Sequence, residues 1–167
     1  MYQKGRAWIE LNRGHLMDNI RQFRMLLPTD CALMPAVKAN AYGHGAPLIA
    51  GALQEQGVHS FCVASVAEGI ELRQAGIWGE ILVLGYTHPG QFSDLAYYSL
   101  TQTVVDLEYA RKMQEDGHRF TVHIGIDTGM HRLGERWDNL EGILEIFRFP
   151  NLKVTGIYSH LCASDGI

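Results

Sequence analysis

The sequence predicts an α/β protein on a parallel sheet, an incomplete (β/α)8 barrel of the TIM type with about six strand–helix units. Two observations carry this. Short apolar strands alternate with helices through brief connections, the pattern of parallel crossover units. Six strands are counted from Leu33 onward, whereas a closed barrel needs eight, typically over about 250 residues. The chain has 167 residues.

Residues 6–11 (RAWIEL) alternate as a strand does, and Asn12 can cap the helix in which Leu16, Ile20, Phe23 and Leu27 recur until Pro28 stops it. Residues 33–37 (LMPAV) read as a short buried strand ending at Lys38. A turn follows at Gly43-His44-Gly45, and Pro47 opens a helix through Leu48, Ala52 and Leu53 to Gly57. Residues 60–64 form the next strand. Ser65 caps a helix through Val66, Ile70 and Leu72, with Glu68 three residues on in a capping-box arrangement and Gly76 at the far end. The unit then repeats. Strands are expected at 81–84, 101–105, 120–126 and 154–158, with helices at 89–98, from the Asp106 cap to near Gly117, and over most of 137–149. Glu68, Glu71 and Arg73 read as a solvated helix face.

A 47% hydrophobic and 19% charged composition describes a globular chain, not a disordered one. The formal net charge of −4 and the absence of a basic run give no reason to expect nucleic acid or a membrane surface as partner. No apolar stretch approaches the roughly 20 residues of a spanning helix, and the N-terminus shows no signal-peptide core. Cys31, Cys62 and Cys162 match no zinc or redox spacing, so free thiols in a reducing cytoplasm are expected.

The chemistry gathers at strand ends. Lys38 closes the first strand, where α/β proteins keep their sites, and a lysine with a free amine is the side chain that condenses with an aldehyde cofactor. Residues 123–135 (HIGIDTGMHRLGE) bring Asp127 to a strand end and Arg132 into a glycine-flanked loop, suited to binding a carboxylate or phenolate. An Arg132–Asp127 structural pair is the plainer alternative. His160 follows the last strand. His44 fits a tight turn, and His88, His118 and His131 show no metal-ligand spacing.

The ten residues AVKANAYGHG, with DTGMHRLG and SHLCASD further on, resemble the alanine racemase family over the whole chain in order. The resemblance implies pyridoxal 5'-phosphate as cofactor, bound covalently by Lys38 with its phosphate on Tyr42. It implies Arg132 near the cofactor's phenolic oxygen and the substrate, and His160 beside the ring. It further implies a racemase acting on alanine, with serine as a second substrate, that supplies D-alanine for peptidoglycan as a cytoplasmic homodimer. Residues 1–167 would be the N-terminal part of the barrel, without the family's C-terminal β domain, whose tyrosine reaches across from the partner subunit. The chain would then be inactive alone. Many family members place a carbamylated lysine seven residues before the arginine. Gly125 stands there instead, leaving open what holds Arg132. The wording of residues 123–135 is similar to vancomycin-resistance racemases, which implies a longer, membrane-anchored form. Two rivals remain: a stand-alone cofactor-binding barrel without racemase activity, and a non-catalytic fragment.

Overall fold

The computed structural model describes residues 6–164 and Gly166. A six-stranded parallel sheet organises them. β1 (Ser60–Val63), β2 (Glu80–Val83), β3 (Thr101–Val104) and β4 (Phe120–Asp127) lie side by side in chain order. β6 (Leu152–Ser159) flanks β4, and the two-residue β5 (Glu135–Arg136) pairs with the last residues of β4. The helices are α1 (Arg13–Leu26), α2 (Lys38–Tyr42), α3 (Ala46–Gln54), α4 (Val66–Gln74), α5 (Phe92–Tyr97), α6 (Leu107–Asp116) and α7 (Leu140–Ile146), with a 3-10 turn at Pro89–Gln91. This is an α/β barrel that does not close.

Local chemistry fixes the helix starts. Asn12, Ser65 and Asp106 each accept a backbone amide three residues on, from His15, Glu68 and Tyr109. Asn139 does the same for Gly142 and starts α7 three residues later than the sequence predicts. Alternation along the strands gives the sheet two faces. One carries Phe61, Val63, Ile81, Val83, Val104, Val122 and Ile124, which are fully buried beneath the helices with Phe92, Leu95 and Met113. The other face turns inward and is polar. There Glu80 Oε1 lies 3.1 Å from His123 Nε2 and accepts from Thr101 Oγ1 at 3.2 Å. Gly156 lies directly over His123, where an added Cβ would come within 2.7 Å of the ring. No described helix is long and apolar enough to cross a membrane.

Three expectations fail. Residues 6–11 form no strand; they are exposed, and no strand among the described residues pairs with them. The strand expected at 33–37 shrinks to one bridge, Ala36 to Cys62. Cys62 N donates to Pro35 O and Val37 N to Cys62 O, each at 2.9 Å, but the next ladder bond would need an N–H that Pro35 lacks. The six-strand count survives only because β5, unforeseen, replaces that segment. The solvated face on α4 fails for Arg73 and Glu68, although Glu71 is exposed. Arg73 donates to the carbonyls of Ile77, Gly79, Tyr98 and Ser99, between 2.9 and 3.1 Å, and its partial burial lowers its pKa. Glu68 accepts two backbone amides, from Ala39 and Ala64.

Candidate active site

Lys38 opens α2, a single turn wound left-handed. Ala39, Asn40 and Ala41 stand at φ 50–54° and ψ 45–48°, and Tyr42 at φ 54°. Left-handed backbone costs roughly 1–2 kcal/mol for each residue with a Cβ, so four in succession must be held by their surroundings. Asn40 Oδ1 accepts from Ala46 N at 2.8 Å, capping α3, while His44 Nδ1 lies 2.8 Å from Ala41 O. These contacts give His44 the structural role read from its flanking glycines. Lys38 and Tyr42, one turn apart, both line the same cavity.

That cavity, of about 340 Å³, opens at the C-terminal ends of the strands. Its lining brings together all four residues singled out from the sequence: Lys38, Tyr42, Arg132 and His160. It also includes Thr103, Gly125, Asp127 and Tyr158. Tyr42 remains 62% exposed.

The loop after β4 is organised by Asp127. Its carboxylate accepts from Gly129 N and His131 N at 3.0 Å, and its other oxygen lies 2.9 Å from His131 Nδ1. The backbone amides of His131 and Gly129 pull its pKa from the ordinary 3.8 to about 2. Asp127 is therefore paired to His131, not to Arg132. Arg132 lines the cavity, and among the described residues it has no hydrogen-bond or ion-pair partner, which leaves its guanidinium free to meet an anion. Thr128 Oγ1 and Ser159 Oγ, 2.5 Å apart, join the ends of β4 and β6 below His160. Asp165, the last residue of the SHLCASD match, lies outside the described residues.

Two lining residues, Tyr158 and Thr103, escaped the sequence reading. Tyr158 Oη lies 2.9 Å from Thr103 Oγ1; burial raises the tyrosine's pKa, while the nearby Arg132 charge opposes that rise. Its place two residues before His160 on an alternating strand was the available signal. Cys62, on the inward face, has its thiol pushed up to about 11, mainly by burial, with Glu80 adding to the shift and Lys38 opposing it.

The donor set suits pyridoxal phosphate. An amine for its aldehyde, a hydroxyl for its phosphate and a guanidinium for anionic oxygens share a cavity within the range of small-cofactor sites, about 300–1,000 Å³.

Comparisons with known proteins bear on the family. The family described as "Alanine racemase, N-terminal domain" matches residues 11–167. An amino-acid racemase of Enterococcus faecalis is 41% identical over 97% of this chain, and the serine/alanine racemase of Enterococcus gallinarum 39% identical over 96%. The chain spans 23% of the length of each. The solved alanine racemase of Clostridium difficile 630 in complex with cycloserine superposes with a TM-score of 0.86 at 37% identity, covering 91% of this chain and 43% of that one. With the fold, the motifs and these matches in agreement, the chain belongs to the alanine racemase family, matching its N-terminal domain.

Proposed function

We propose that this chain provides the N-terminal barrel part of a pyridoxal-phosphate-dependent amino-acid racemase. Alanine is the substrate, with serine as a second one, and the product is D-alanine for peptidoglycan, made in the cytoplasm. The supporting observation is the convergence of Lys38, Tyr42, Arg132 and His160 on one cavity. When bound, the cofactor supplies an aldehyde for amine condensation and a ring that spreads negative charge from Cα. Lys38 would hold the cofactor through its amine and move the Cα proton on one face of the substrate. The Tyr42 hydroxyl would donate to the phosphate, Arg132 would meet the phenolic oxygen and the substrate, and His160 would lie beside the ring. The serine/alanine relative supports serine as a second substrate.

Inversion at Cα needs an acid/base on the opposite face as well. We assign that role to a tyrosine outside residues 1–167, supplied by the C-terminal β domain of the partner in a homodimer. The short span relative to the relatives favours a second reading for this chain alone: it binds the cofactor without inverting the substrate. Titration with pyridoxal 5'-phosphate tests the first part. A visible absorbance band should grow in and be lost in Lys38→Ala; a band of equal strength in that variant contradicts the reading. Incubation with L-alanine or L-serine, followed by chiral chromatography, tests the second. The D-isomer should stay near background, since losing one acid/base alone costs about 10²–10⁴-fold. Rapid D-isomer formation would show that the chain holds both bases.

A further inference from the structure

The turn bearing Lys38 and Tyr42 is tied from within at its far half, where Asn40 caps Ala46 and Gly45 N donates to Asn40 O at 2.9 Å. Its start is tied from outside. Glu68 on α4, 29 residues along the chain, accepts from Ala39 N through Oε1 at 2.9 Å. Its other oxygen accepts from Ala64 N at 2.6 Å, immediately after β1. These two amides meet where the parallel ladder stops. Continuing it would take Ala64 N to Val37 O, but that carbonyl accepts from Ala41 N at 2.8 Å, inside the left-handed turn. The carboxylate takes the amide that the turn leaves over and, with its second oxygen, the amide at which the turn begins. Glu68 itself does not line the cavity.

We propose that Glu68 is a positioning residue, whose carboxylate clamps the left-handed turn to the end of β1 and thereby sets where the Lys38 amine and the Tyr42 hydroxyl stand in the cavity. The inference rests on reading the cavity as the cofactor site. Glu68 acts through the backbone and touches neither substrate nor cofactor. A carboxylate suits the task because both of its oxygens accept, whereas the glutamine amide of the same shape offers one acceptor for two donors. Glycine adopts left-handed backbone at little cost, so Ala39→Gly should make the clamp partly dispensable.

The test uses Glu68→Gln alone and combined with Ala39→Gly, read in two ways. In the free chain, amide NMR should show shifted Asn40, Ala41 and Tyr42 resonances and faster exchange at Ala39 in Glu68→Gln, with recovery of the three resonances in the double variant. Unchanged resonances from Asn40 to Tyr42 overturn the proposal. In the second readout, affinity for pyridoxal 5'-phosphate should fall about tenfold or more in Glu68→Gln at a temperature where both proteins are folded, because small misplacements of reacting groups are costly. Ala39→Gly should restore most of that loss. Equal affinity in parent and Glu68→Gln overturns the role of Glu68. A visible band that survives Lys38→Ala overturns the cofactor site instead, and the amide resonances still decide whether Glu68 holds the turn.

Discussion

Tyr158 on β6 and Thr103 on β3 meet through their hydroxyls at 2.9 Å, across β4 where Gly125 has no side chain to separate them. A Cβ at Gly125 would lie 3.2 Å from the Thr103 methyl, so the glycine and this hydrogen bond belong together. Losing the bond should cost about 0.5–1.5 kcal/mol. Chemical denaturation of Tyr158→Phe, Thr103→Val and the double variant checks this. The double variant should be less destabilised than the sum of the singles. Strict additivity would mean that the two side chains act independently. Gly125→Ala should also destabilise, by pressing on Thr103.

Asp127 gives the loop bearing Arg132 an acid-sensitive anchor. Its folded pKa lies below the ordinary 3.8, at about 2, so the unfolded chain binds the proton more readily. The contribution of the carboxylate is full above about pH 4 and is lost as pH falls toward 2. Acid denaturation followed by circular dichroism should show a shallower fall in stability between pH 4 and 2 in Asp127→Asn than in the parent. Identical slopes would remove Asp127 as the anchor.

Tyr42→Phe should weaken retention of pyridoxal 5'-phosphate while leaving covalent capture by Lys38 intact. One hydroxyl bond to a charged phosphate contributes about 1.5–3 kcal/mol, or roughly ten- to hundredfold in affinity. Overlaying titration curves for mutant and parent would show that Tyr42 does not touch the phosphate.

Much of this architecture could be read from single residues and their neighbours in sequence. The caps at Asn12, Ser65 and Asp106 are local, and so is the alternation along β4 and β6 that brings Asp127 and His160 to strand ends. What could not be read depends on partners distant in the chain. Glu68 shows a helix-cap spacing, yet one of its amides comes from 29 residues upstream. Arg73 looks like a surface cation until Tyr98 and Ser99, 25 and 26 residues on, supply carbonyls to it. The left-handed turn is hidden for a related reason: Ala39, Asn40 and Ala41 are small but have no intrinsic preference for positive φ strong enough to announce four such residues. Residues 6–11 fail in the opposite sense: alternation alone makes no strand, and none of the described strands pairs with them.

The central claim is that Lys38 is the residue that binds the cofactor. Borohydride reduction of the chain loaded with pyridoxal 5'-phosphate, followed by proteolysis and peptide mass mapping, tests it most directly. The account predicts a single stable adduct on the Lys38 side chain within AVKANAYGHG. An adduct on Lys4, Lys112 or Lys153 with Lys38 unmodified would contradict it.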